Sequence, residues 1–281
     1  MKSTEVLKTK PFAAKAAGNL AAASVTSGAI ATTTDAFHDG KFEIVQPKDV
    51  GHRVGLDALL LAASLPKNAI GLLGDLGAGS GAAGFAALSL FSDLDLVSIE
   101  LNDVMFDLLS RSANLNSNSH LRNRVKVLRA DVIKSGKQRI EQGLADEMFD
   151  HVIMNPPYYT GSYRPPADKV RSEAHVLGDG GLDAWFRTAA ATLRNGGSFS
   201  LINRSENLAA VIASSQGRFG ELQIIPIHSR ADEAAKRILV RSIKGSKAPL
   251  VVLPGLVIHE SDGSFTPRAD AIFKGEAIIG D

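Results

Sequence analysis

Cysteine is absent from the 281 residues. That removes disulfides, thiolate metal ligands and cysteine nucleophiles together, and nothing in the chain demands an oxidising compartment. Long apolar runs are absent too: no stretch approaches the ~18 uninterrupted apolar residues of a membrane span. A cytoplasmic protein with no membrane segment is the expectation. The histidines His38, His52, His120, His151, His175, His228 and His259 lack the HExxH or paired spacing that brings two imidazoles to one ion, so no metal site is expected. An excess of one charge is also lacking. The 31 Lys and Arg against 30 Asp and Glu leave a net charge of +1, unlike the strongly basic domains that usually bind phosphate backbones. No internal repeat or low-complexity linker divides the chain.

What is present has the balance of a globular enzyme. Hydrophobic residues make up 44% and charged residues 22%, ordinary proportions for a folded domain, and the length suits one large α/β domain with additions better than two domains. Residues 1–35 are rich in Ala, Ser, Thr and Lys, with a weak apolar middle from Leu20 to Ala31 broken by small polar residues. They read as a flexible or partly helical arm rather than a signal peptide. Residues 36–281 read as a single domain opening on a hairpin, Ala36 to Val45, with Asp39-Gly40 at its turn. Basic charge collects in two places. Arg111, Arg122, Arg124, Lys126, Arg129, Lys134, Lys137 and Arg139 face only Asp131 as an acidic neighbour in sequence, and a second cluster runs from Arg230 to Lys247. Each is either a phosphate-contact surface or a solvated face.

From Gly55 onward helix and strand patterns alternate. Helices are expected over Leu56–Ser64, Gly81–Phe91 and Asp103–Asn116. Seven strands are expected at Ile70–Asp75, Leu94–Glu100, Val125–Arg129, Phe149–Met154, Ser198–Ile202, Leu222–Ile227 and Ile238–Ile243. No convincing helix lies between the last two strands. The series predicts an α/β fold with a doubly wound, mostly parallel seven-stranded sheet and an antiparallel edge.

The first core strand runs into Asp75-Leu76-Gly77-Ala78-Gly79-Ser80-Gly81, which opens a helix. Glycines at such a turn accept positive φ and let a ligand approach the unpaired N–H groups of the helix N-terminus. Gly79-Ser80-Gly81-Ala82-Ala83-Gly84 also fits the dinucleotide pattern GxGxxG, so an NAD-dependent oxidoreductase is a rival. Asp75 weighs against it, because a carboxylate here would repel a pyrophosphate but meet the amino-acid part of S-adenosylmethionine. Glu100, at the end of the second strand, is placed for ribose hydroxyls. Asp131, after the third, is placed for an adenine amine. For each carboxylate a helix cap or plain surface charge is the alternative.

The fourth strand ends in Asn155-Pro156-Pro157-Tyr158-Tyr159. Ligands of doubly wound sheets bind beyond the carboxyl ends of the strands, so this segment and the glycine turn converge on one cleft. The consecutive prolines stiffen the backbone and remove competing N–H donors, leaving the Asn155 side chain and the Pro156 carbonyl to accept hydrogen bonds from one amino group. An aniline- or amide-like nitrogen is a poor nucleophile because its lone pair is conjugated. Two acceptors pull it toward a tetrahedral shape and aim the lone pair at a sulfonium methyl. Tyr158 offers a face on which a base stacks. An ordinary strand-to-loop turn is the alternative, since Asn-Pro commonly starts turns.

With these motifs the sequence resembles the NPPY-type S-adenosylmethionine-dependent methyltransferases. Within them it is most similar to the bacterial tRNA adenine-N6 methyltransferases that modify the adenine beside the anticodon of a valine tRNA. The likeness runs from about Thr34 onward and includes Gln46-Pro47-Lys48 and Gly51-His52-Arg53-Val54-Gly55-Leu56-Asp57-Ala58. It implies a Rossmann-like class I methyltransferase domain, S-adenosylmethionine as cofactor and tRNA as partner. It adds Arg53, Gly55 and Asp57 to Asp75, Gly77, Gly79, Gly81, Glu100, Asp131 and Asn155 as cofactor-pocket residues, with Asn155, Pro156, Pro157 and Tyr158 as the catalytic motif. For Asp57 a helix N-cap is an alternative. Ala234–Val240 and His259–Thr266 also look like family elements, without an evident role. The long arm, His52 and the modest net charge depart from the pattern. N5-methylation of a glutamine in a translation factor is the rival within methyl transfer, though the arm is short for gripping a protein.

Overall fold

The computed structural model of the chain describes residues 30–48, 55–157 and 181–279. Thr32–Phe37 (β1) and Phe42–Pro47 (β2) pair antiparallel. The turn between them places His38, Asp39 and Gly40 at φ of 49, 53 and 84°, the left-handed region that Asp-Gly turns accept. The hairpin is longer than its sequence signal: pairing of Thr32 with Pro47 starts the first strand ahead of Ala36.

The central sheet contains β3 (Gly71–Leu76), β4 (Leu94–Glu100), β5 (Val125–Arg129), β6 (Phe149–Met154), β7 (Leu193–Arg204), β8 (Phe219–His228) and β9 (Arg237–Lys244). Two short strands, β10 (Val251–Val252) and β11 (Leu256–Val257), extend it to nine rather than the expected seven. Both run parallel to β8. The order is β10-β8-β9-β7-β6-β3-β4-β5, with β11 also on β8. Every neighbouring pair from β7 to β5 is parallel. The antiparallel strand is not at an edge, as expected, but inside the sheet: β9 is antiparallel to both β7 and β8. The helical crossover after β7 leaves a gap one strand wide beside it. The short 229–236 connection folds β9 straight back beside β8 and into that gap.

Helices cover both faces: α1 (Leu56–Ala62), α2 (Ala82–Leu90), α3 (Asp103–Asn114), α4 (Gly136–Glu141), α5 (Gly181–Thr192), α6 (Leu208–Ser215) and α7 (Pro267–Phe273). Strand residues alternate between two cores, as the pleat requires. Ile153, Ile202, Ile225 and Leu239 join α1, α2, α7 and the hairpin residues Phe42 and Ile44. Their neighbours Val152, Met154, Leu201, Ile224 and Val240 join Trp185, Phe186 and Ala189 of α5 and Val211 of α6. Each large side chain fully buried this way contributes roughly 1.5–3 kcal/mol. This two-sided burial holds the carboxyl ends of the parallel strands level, and the site is built there. Among the described residues no helix is long and apolar enough to cross a membrane, and no cluster of His, Asp and Glu could hold a metal ion.

Candidate active site

A cleft of about 1130 Å3 opens at the carboxyl ends of β3, β4, β5 and β6. That is at the upper end of the ~300–1,000 Å3 of small-ligand pockets, ample for a nucleotide-sized cofactor. Its first wall is the glycine turn. Gly77, Gly79 and Gly81 have φ of 71, 58 and 101°, which L side chains avoid. Gly77 has a second constraint: a Cβ there would lie 2.5 Å from the indole of Trp185. The turn is tied across the sheet by the Ala78 N–H donating to the Ile99 carbonyl at 2.8 Å and the Gly79 N–H donating to Glu100 Oε2 at 2.8 Å.

Asp75 lies under this turn, 1% exposed, and its Oδ2 accepts the Gly84 N–H of α2 at 3.0 Å. Burial pushes its carboxyl up to about 7. The Gly84 N–H pulls the other way, and the nearby Glu100 charge adds to the rise. Glu100 is also raised by burial, opposed by its backbone donors. Its Oε1 accepts the N–H groups of Leu101 and Asn102, both at 2.8 Å. Counting Gly79, three of the roughly four acceptor positions of this carboxylate are filled, so Glu100 also acts as the internal clamp of the turn. Asp131 caps its own loop, accepting the Ile133 N–H at 3.0 Å on Oδ1, and Lys134 Nζ stands 4.0 Å from Oδ2. Asn155, Pro156 and Pro157 reach the same cleft from the end of β6. Tyr158 and Arg53 lie outside the described residues.

Gly55 is the N-cap residue of α1, in an extended conformation, and a Cβ on it would meet nothing within 4 Å. No internal packing therefore demands glycine; the space beside it is the cleft. Asp57 is not the helix cap. It sits in the first turn of α1 and its two carboxylate oxygens accept from Arg237 Nε at 2.9 and 2.7 Å. Arg237 comes from β9, 180 residues away, and spacing along the chain gave no signal of it.

Ser229, Lys236, Arg237, Ile258 and His259 form the second wall with Ile227. Sequence reasoning placed Lys236 and Arg237 in a basic cluster that is either a phosphate surface or a solvated face, gave His259 no role, and missed Trp185 entirely. The Arg111–Arg139 run divides: Arg124 and Arg139 turn inward, while the other six basic residues stay exposed. Arg124 donates to the carbonyls of Leu88, Phe91, Ser92 and Leu94 near the end of α2. Arg122 donates to Asn114 and Leu115. Arg139 is buried against Leu144 and Asp146, and Arg129 pairs with Asp103. Arg124 and Arg139 thus serve a helix end and a loop, which interrupts the run as a phosphate surface at those two positions.

The cleft interior thus carries Asp57, Asp75, Glu100 and Asp131 around a helix N-terminus. A pyrophosphate would meet the buried Asp75 and the half-buried Glu100 beside the turn, where dinucleotide folds offer N–H groups without carboxylates. A ligand with an ammonium group and ribose hydroxyls meets acceptors instead, and the open space beside Gly55 admits it. The residues present therefore fit S-adenosylmethionine.

Comparison with known proteins agrees. The methyltransferase small domain family model matches residues 52–226. A tRNA1(Val) (adenine(37)-N6)-methyltransferase of Shewanella woodyi is 26% identical over 230 residues, covering 80% of this chain and 92% of its own. An enzyme of the same name from Porphyromonas gingivalis is 23% identical over 245 residues, covering 84% and 92%. Among solved structures, a predicted O-methyltransferase of Agrobacterium tumefaciens is 39% identical with a TM-score of 0.69, covering 79% of this chain and 98% of its own. Fold, cleft and relatives converge: the chain belongs to the methyltransferase small domain family and is an S-adenosylmethionine-dependent methyltransferase.

Proposed function

We propose that the protein methylates the exocyclic N6 amine of an adenine in tRNA. The observation that carries this reading is the placement of Asn155 and Pro156 in the same cleft as the glycine turn, with the names of the relatives in support. S-adenosylmethionine supplies an electrophilic methyl group on a sulfonium. The chain's part is orientation. The Asn155 amide oxygen and the Pro156 carbonyl would accept hydrogen bonds from the two amine N–H groups and draw the lone pair out of conjugation toward the methyl; as N–C forms, the S–C bond breaks, S-adenosylhomocysteine leaves, and the methylated nitrogen gives up one proton to solvent. Asp75 would hold the ammonium of the cofactor's amino-acid part, Glu100 its ribose and Asp131 its adenine. Gly55 and Asp57 line the pocket beside it, with Arg53 preceding them in sequence.

The test is transfer of labelled methyl to unmodified tRNA and, in parallel, to a translation release factor, followed by nucleoside analysis. N6-methyladenosine in the tRNA is the expected product. Asn155→Ala should reduce transfer at least about 100-fold while cofactor affinity stays within about threefold; unchanged turnover would remove the motif from the mechanism. The Agrobacterium structure, described as a predicted O-methyltransferase, favours a second reading, transfer to a hydroxyl. A ribose-methylated nucleoside in the same digest would establish that one, and label on glutamine would establish the protein acceptor.

A further inference from the structure

His259–Thr266 forms a hairpin that the catalytic reading leaves without a task. His259 bridges Phe265 across it in antiparallel register, and the Glu260 N–H donates to the Ser264 carbonyl at 2.9 Å. Asp262 and Gly263 make its turn, with Gly263 at φ 89° and Asp262 Oδ1 accepting the Ser264 N–H at 2.9 Å. The hairpin is pinned to the cleft by the His259 N–H, which donates to the Ser229 carbonyl at 3.0 Å. The His259 imidazole stacks on the Phe265 ring, centroids 5.1 Å apart and planes 20° apart. Phe273 of α7 supports Phe265 edge-on at 4.9 Å. Phe265 is nevertheless 40% exposed. The pair begins on the cleft wall and leaves aromatic surface open to solvent beside it.

The charges nearby give it a direction. Lys236, its side chain 70% exposed, lies on the same cleft wall as His259, whereas the hairpin tip carries the exposed acids Glu260 and Asp262. An anionic backbone is drawn to the Lys236 side and kept from the tip. Glu233, 3.4 Å from Lys236, offsets part of that attraction and leaves stacking as the main contribution. We infer that His259 and Phe265 form a stacking subsite for an unpaired nucleotide neighbouring the target base, with Lys236 contacting its phosphate. This rests on RNA being the acceptor. Stacking needs no hydrogen-bond complementarity, so the subsite accepts any base and holds the strand open while the target amine enters the Asn155 end of the cleft.

The test uses the full chain with unmodified tRNA transcript, comparing wild type with His259→Ala, Phe265→Ala, Phe265→Trp and Lys236→Ala. Both aromatic-to-alanine variants are expected to raise the KM for tRNA about tenfold, with an unchanged thermal melt as the control for folding. Phe265→Trp, which keeps a stacking face, should restore KM. Lys236→Ala should lower the slope of log affinity against log salt by about one phosphate contact. A wild type that methylates tRNA while both alanine variants keep its KM would overturn the subsite alone. A wild type that labels release factor and not tRNA would overturn the RNA reading and the subsite with it.

Discussion

The two walls of the cleft are built on opposite principles. The first, Asp75 to Gly81 with Glu100, Asp131 and Asn155, is made where parallel strands end, each carboxylate or amide lying within two residues of its own strand's last residue. The second, Arg237, Lys236 and His259 with the start of α1, is assembled from segments far apart in the chain. The Asp57–Arg237 contact spans 180 residues. A wall of strand ends inherits its geometry from the sheet. The other depends on particular side-chain contacts, so the two should respond differently to substitution.

The largest effect is expected at the first wall. Gly77→Ala puts a Cβ 2.5 Å from the Trp185 ring at a φ of 71°, costing about 3 kcal/mol from strain and overpacking together. Gly55→Ala, whose Cβ meets nothing within 4 Å, should keep stability within about 0.5 kcal/mol and weaken only cofactor binding. Thermal melts and cofactor titrations of both variants check this; equal melting temperatures would mean the turn does not have this geometry.

Next in size is a pH effect at Asp75. The native carboxyl holds its proton up to about 7, whereas in the unfolded chain it ionises near 3.8. Between these values the native state binds more protons than the unfolded state, so stability falls as pH rises through the window and the full penalty is present above about 7. Asp75→Asn keeps an acceptor for Gly84 and has nothing to titrate. From pH 5 to pH 8 the wild type should lose about 2–3 kcal/mol relative to this variant, read by denaturant titration at both values. Parallel curves would show that Asp75 is already ionised when buried. Because the ionised form is the one that attracts an ammonium, cofactor affinity of the wild type should rise over the same range.

The smallest effect belongs to the second wall. Arg237→Met removes a guanidinium from a partly exposed pair, 36% and 20% for the two side chains, and should cost about 1 kcal/mol in stability. Cofactor affinity is the sharper readout, since Asp57 then loses the contact that anchors the first turn of α1 beside the cleft. Unaltered affinity would make the second wall a boundary only and the first wall the whole binding site.

Legibility followed the same division. Asp75, Glu100, Asp131 and Asn155 could be placed from sequence because a strand pattern fixes where a strand ends, and doubly wound sheets bind ligands at those ends. The glycines were legible because positive φ leaves few alternatives. Trp185 was not, since an indole in an amphipathic helix looks the same whether it packs in the core or against a turn. Nor was the fate of the basic run. Arg124 and Arg139 have the sequence appearance of a phosphate patch, and only the positions of nearby carbonyls turn them inward.

The sequence by itself determined the alternation of elements, the parallel core, the glycine turn and the acidic strand ends, because each depends on residues close together in the chain. Tertiary structure alone decided that β9 enters the sheet between β7 and β8, that Asp57 meets Arg237, and that His259 and Phe265 stack at the mouth of the cleft. Those outcomes depend on which distant segments fill a gap one strand wide and which charges and rings then face each other. No local period or spacing encodes that choice.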